Sequence, residues 1–380
     1  MKKNFKFSAL VAMALMAGFS SCSNENEPTE ISKETKSVTL KLDLSSPTTY
    51  ADEASATGTT ATLSNGYVYF VKTGGAIDRV VAMSLSPAPG EADINTIATA
   101  GHTETGVDGA VQTIYVVGNV PASLNATLSA ATTLSAVETA VLAIADQATV
   151  ANVTLQGQSG LSVSPTATNV YTATVTIKPV VSRFEIAQIE YDNSTAASLV
   201  DPITGFSVEG IFVNNTYRAM QFDGTVSSLL YNGPTAAANF TAANYGSLAD
   251  LGLPLGSSSV SSLTKVPNTT PGVWAYQFFP VDATAANPSP DALPELVIKL
   301  DNFTSTGGTI TGTQWITIAQ FKDASTGLVI DKFDANNIYK IANIKFDNSN
   351  LSATPSTTTK DITVYVTVQA WDTVNVDPVL

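Results

Sequence analysis

The chain carries one histidine and one cysteine among 380 residues, so the side chains that most often act as bases, nucleophiles and soft metal ligands are nearly absent. One Cys cannot close an intramolecular disulfide, and one Cys with one His cannot complete a Cys/His zinc or iron–sulfur site. His102 lies in Ala100-Gly101-His102-Thr103-Glu104-Thr105-Gly106, a glycine-bracketed polar run that reads as a solvated loop, not the setting of a catalytic base. Asp331-Lys332-Phe333-Asp334-Ala335-Asn336-Asn337 offers oxygens without the regular spacing of an EF-hand and reads as a turn. No phosphate-binding Gly-Lys motif or nucleophile elbow is present, and no pair of carboxylates is singled out for glycoside hydrolysis. Trp274, Trp315 and Trp371 could stack on sugars, but each lies in a strand-like run where core packing is the expected use. The expectation is a protein with no catalytic residues, no metal and no cofactor.

Cys22 is the one residue whose chemistry its position explains. Residues 1–21 open with Lys2, Lys3 and Lys6, continue through an apolar run from Ala9 to Ala17, and close with Gly18-Phe19-Ser20-Ser21 directly before Cys22. A charged start, a short apolar stretch and small residues before a cysteine are the pattern of a bacterial lipoprotein signal, in which that cysteine is acylated. Residues 22–36 follow as a polar, acidic tether. The formal charge is −14, from 18 basic and 32 acidic residues, which argues against a nucleic-acid partner and against adsorption to anionic lipid. The lipid alone would then hold the precursor to a membrane.

Fifty threonines equal the fifty charged residues in number, a balance that suits β surfaces better than exposed helices. From residue 37 the chain alternates apolar and polar residues in short runs, among them Gly66-Tyr67-Val68-Tyr69-Phe70-Val71 and Tyr171-Thr172-Ala173-Thr174-Val175-Thr176-Ile177, separated by Gly, Pro, Asn and Ser. The fold expected is all-β: two tandem antiparallel β-sandwich domains, 37–180 and 181–380, divided near Pro179, with one short helix in the first. That helix is expected over Ser135 to Gln147, with Ser135 and Glu138 as a capping box. Asn232 to Val266 reads as a long polar loop.

Two segments share one pattern. Val38, Leu40, Leu42 and Leu44 alternate with polar residues in a first strand, 38–44, and Val374, Val376, Pro378 and Leu380 alternate in a tail, 373–380. Since a slip of one residue turns every apolar side chain to the wrong face, two segments so patterned fill one groove only in matching register. Four such side chains would contribute roughly 6–12 kcal/mol on burial. The pattern alone also fits two ordinary edge strands.

The lipobox, the Val38–Leu44 strand, Ile114-Tyr115-Val116-Val117-Gly118-Asn119-Val120-Pro121 before a short helix, Asn336-Asn337-Ile338-Tyr339-Lys340-Ile341, and Val364-Tyr365-Val366-Thr367-Val368-Gln369-Ala370-Trp371 together resemble the FimA-type fimbrilins, shaft subunits of type V pili of Bacteroidota. The resemblance spans nearly the whole chain. It implies two transthyretin-like domains, export as an outer-membrane lipoprotein acylated at Cys22, and proteolytic removal of the first strand with its lipid. It further implies that Val374, Val376, Pro378 and Leu380 of another subunit replace Val38, Leu40, Leu42 and Leu44, a form of strand addition. The mature protein would be an extracellular fimbria made of itself and accessory subunits, adhering to a host or bacterial ligand. Cleavage would fall in the loop 45–62, where the aligned bond is Tyr50–Ala51. Family members typically carry Arg there, and this chain has none between Cys22 and Arg79, so a different protease specificity or a different bond within the loop follows. Alternative readings are a pilus anchor that keeps its lipid, a tip adhesin, or a glycan-binding surface lipoprotein.

Overall fold

The computed structural model describes residues 34–43, 61–149, 152–165, 167–226, 237–245, 249–251, 265–267, 273–282, 293–355 and 362–370. Cys22, Leu44, Tyr50, Ala51, Trp371, Val374, Val376, Pro378 and Leu380 lie outside the described residues. The described strands belong to one compact unit, Thr35–Leu380.

The described residues of the first half form eleven strands: β1 (Thr35–Asp43), β2 (Asn65–Lys72), β3 (Ile77–Ser84), β4 (Ala92–Asp93), β5 (His102–Asp108), β6 (Val111–Gly118), β7 (Val141–Ala143), β8 (Leu155–Gly160), β9 (Ser162–Val163), β10 (Val170–Thr176) and β11 (Lys178–Pro179). Ten of them make two sheets, ordered β5-β1-β10-β9 and β11-β8-β6-β2-β3-β4. Alternation explains both. Val38, Leu40 and Leu42 of β1, Ala173 and Val175 of β10, and Val68, Phe70, Ile114 and Val116 of the larger sheet are all buried in the same apolar core. Where β8 passes β10 the backbones nearly touch, and a Cβ on Gly157 would lie 2.2 Å from the Thr176 carbonyl oxygen. Only glycine fits there.

The described residues of the second half follow the same rule in one six-stranded, two three-stranded and one two-stranded sheet. Phe184, Phe278, Phe321, Phe333 and Tyr339 form an aromatic centre, with the Phe184 and Phe278 rings stacked at 4.6 Å. Trp274 and Trp315 are buried, the core use expected of them. Within the segment expected to be a polar loop, Phe240 and Tyr245 are buried and stack 5.3 Å apart beside Phe212, so aromatic anchors hold part of it to the core.

Several expectations are corrected. Helices α1 (Ile94–Thr99), α2 (Asn125–Ser129) and α3 (Leu134–Glu138) are all short. The helix expected over Ser135 to Gln147 ends at Glu138, and its N-cap is Thr133, whose hydroxyl accepts from the Ala136 N–H at 3.2 Å. Val141–Ala143 is instead strand β7, pairing with Ala219–Gln221 of the second half. Apolar residues at Val141, Leu142 and Ile144 served a strand and a 3₁₀ turn, and tertiary pairing overrode the helical spacing. β1 begins at Thr35, inside the stretch read as tether, because Lys36 finds buried partners. His102 starts strand β5 and lies beside Glu104, with Nε2 and Oε1 2.7 Å apart. Five of the ladders among the described residues are parallel, β1 with β10 being the longest, so the sheets are mixed. The Asp331–Asn337 run does turn, with Asn336 at positive φ, though Lys332–Phe333 pairs briefly with Val281–Asp282.

Candidate assembly groove

β1 is an interior strand. It runs parallel to β10 from the Ser37–Val170 pair to Asp43–Thr176, and antiparallel to β5 from Thr35–Asp108 to Leu40–His102. The edge-strand alternative is therefore excluded for β1, and three of the four residues singled out in its sequence, Val38, Leu40 and Leu42, are brought together at 0–3% exposure. At about 1.5–3 kcal/mol each their burial contributes roughly 5–9 kcal/mol. Taking β1 away would leave an apolar slot with an unpaired ladder on either side.

The ladder has a handed detail. The Ser37 N–H donates to the Asn169 carbonyl at 2.9 Å, so odd-numbered residues of β1 point their backbone groups at β10 and even-numbered ones at β5. The ladder with β5 stops at Leu40–His102. Beyond it the backbone of Leu42 faces the side where β5 has ended.

Among the described residues β5 pairs with no strand except β1, and side chains of the β2–β3 hairpin also hold it. A bulge shifts the register between Lys36 and Val38. The Arg79 guanidinium donates to the carbonyls of Thr105 and Gly106 in that bulge, at 3.0 and 2.7 Å, and to Glu104 at 3.0 Å. Lys72 bridges Asp78 and Asp108, at 3.2 and 2.8 Å, and hydrogen bonds to those carboxylates hold its pKa above the ordinary lysine value. Thr39 and Thr103 hydroxyls meet across β1 and β5 at 2.9 Å.

At the N-terminal mouth, Lys36 is buried. Its Nζ donates to the carbonyls of Gly109, at 3.1 Å, and Val111, and lies 4.5 Å over the Tyr171 ring. Burial pushes its pKa down, against the pull of Asp108. α1 packs near β1 with Ile94 and Ile97 buried, its N-cap Asp93 accepting from the Asn95 N–H. Gly101, at φ +91°, joins α1 to β5; a Cβ there would lie 3.0 Å from Thr39 Cγ2 and 3.1 Å from the Leu40 carbonyl oxygen.

Sequence reasoning missed Lys36, Arg79 and their partners. Lys36 carried a signal, since it continues the even parity of Val38 and Leu40; Arg79 carried none, its contacts being 25 to 27 residues distant. Among the described residues no group of three or more His, Cys, Asp or Glu could hold a metal ion, and no helix is long and apolar enough to cross a membrane.

No family model matches the chain, and no curated protein sequence does. Solved structures share its fold. A fimbrilin (FimA) of Porphyromonas gingivalis W83 superposes with a TM-score of 0.56 at 14% identity, over 90% of this chain and 99% of that one. Cell adhesion proteins of Bacteroides eggerthii and Parabacteroides distasonis give 0.52 and 0.54 at 17% and 13% identity, over 92% and 89% of this chain and all of theirs. The fold is that of the FimA-type fimbrilins that the sequence resembles.

Proposed function

We propose, from this fold and from the interior position of β1, that the chain is a structural shaft subunit of a cell-surface fimbria, joined to its neighbours by strand exchange. It is exported as a precursor lipidated at Cys22 and anchored to the outer membrane. A protease cuts within 45–62, Tyr50–Ala51 being the aligned bond, and frees the lipid together with Val38, Leu40, Leu42 and Leu44. Residues 373–380 of a second copy, bearing Val374, Val376, Pro378 and Leu380, then fill the slot. The two domains implied are 37–180 and 181–380, and adhesion to other surfaces follows from the polymer. The role is structural, not enzymatic; the solved structures that share the fold carry fimbrial and adhesion names.

The observation that carries this reading is β1 itself. A strand laddered on both sides and inserted into the core could leave only if another took its place, because two strands' backbone groups and an apolar slot would otherwise face water. Residues 45–60, which follow it in sequence, are rich in Ser, Thr and Ala, as suits a segment open to a protease.

N-terminal sequencing and intact mass of protein sheared from the cell surface test the first step. A lipid-free N-terminus within 46–63 is expected; a lipidated Cys22 on the surface form would indicate an anchor or another surface lipoprotein. Deleting residues 373–380 is expected to leave an exported, folded monomer that makes no filaments, and normal filaments from that deletion would overturn the exchange.

A further inference from the structure

Resting on the strand-exchange reading, we infer that the incoming segment enters the slot in the same direction as β1 and in a single register, Val374 at the place of Val38, Val376 at Leu40 and Pro378 at Leu42, and that Pro378 selects this arrangement. Proline has no N–H and is excluded from positions where a ladder bond is required. Most of the slot requires one. In the direction of β1, inward side chains belong to residues whose backbone faces β5, and β5 pairs only as far as Leu40. The place of Leu42 is inward and buried, and among the described residues no strand pairs with it on that side. A proline there interrupts none of the described ladders.

Neighbouring registers fail for separate reasons. Sliding the segment two residues deeper sets Pro378 at the place of Leu40, opposite His102 of β5, where a ladder bond would be missing. Sliding it two residues back brings Asp372 to the place of Val38, which is fully buried, and a carboxylate would enter an apolar core. Reversal fails everywhere. Turning a strand end for end while keeping its apolar face inward swaps its two edges, so every inward N–H would face β10. That strand accompanies β1 from Ser37 to Asp43 without a break, and the proline would interrupt it wherever it sat.

Paired cysteines read the direction. Thr103 on β5 is exposed and stands opposite Thr39. In the arrangement inferred, Asn375 takes the place of Thr39; in the reversed one Val379 does. Filaments carrying Thr103→Cys with Asn375→Cys are expected to give a disulfide-linked ladder of subunits on oxidation, and those carrying Thr103→Cys with Val379→Cys are not. The opposite result would overturn the direction while leaving strand exchange intact. Filaments that form with neither link would overturn both. Relocating the proline is independent of cysteine: Pro378→Val is expected to retain filaments and Val376→Pro to lose them, and normal filaments from Val376→Pro would overturn the inference.

Discussion

Asp201 is a carboxylate held by four donors. It accepts from the N–H groups of Gly307 and Thr309, at 2.6 and 2.8 Å, from the Ser305 hydroxyl at 2.9 Å, and from the Thr309 hydroxyl. These bonds, that from the Thr309 hydroxyl foremost, hold its pKa well below the ordinary carboxylate range. A pKa lowered on folding means that the folded state binds its proton less readily than the unfolded chain does. The stability it contributes is therefore complete above about pH 4 and is lost as pH falls from there towards the folded value. Asp201→Asn is expected to lower the urea midpoint at neutral pH and to flatten the acid limb of a midpoint-versus-pH curve; an unchanged limb would show that other carboxylates set it. None of this was legible beforehand, because Asp201 and its partners are separated by 104 to 108 residues. The inward residues of β1 were legible, since alternation is local and burial follows from it.

At the scale of elements, the alternating runs became strands, while the helix around Ser135 to Gln147 shrank to α3. The reason is particular: Leu142 of β7 pairs with Met220 as a buried strand residue, and a distant partner decides between two periodicities that both suit a short apolar run. Nor could the sequence say that β1 is interior, because its neighbours β5 and β10 are identified only by pairing across 62 residues or more. That position makes a prediction. Leu40→Ala should cost about 2–5 kcal/mol in the unprocessed protein, the usual range for truncating a buried leucine. It should cost nothing in filaments from which β1 has gone. Urea midpoints of precursor and filament check this, and an equal loss in both would mean that β1 stays in the polymer.

Across the whole molecule, one ladder among the described residues pairs the first half with the second, β7 against Ala219–Gln221. Two backbone bonds frame it, from the Ile144 N–H to Arg218 and from the Asp223 N–H to Glu138, at 2.9 and 3.1 Å. Leu142 and Met220 are buried within it. Leu142→Asp is expected to loosen the two halves without unfolding either, because an unpaired carboxylate cannot remain in that position. Small-angle scattering should then show a larger radius of gyration with unchanged circular dichroism; an unchanged radius would mean that other contacts suffice. A division near Pro179 is expected from the sequence, as a proline between two strand-like runs, but this link is not legible there, since nothing in Val141–Ala143 names its partner.

The slot of β1 has a mechanical meaning as well. A strand held along one edge of a sheet can be peeled away one bond at a time, but a strand seated between β5 and β10 and pulled along its own axis loads both ladders together. A fibre joined through such a slot shares tension among many bonds at once, and it yields by shear, at higher force than by unzipping.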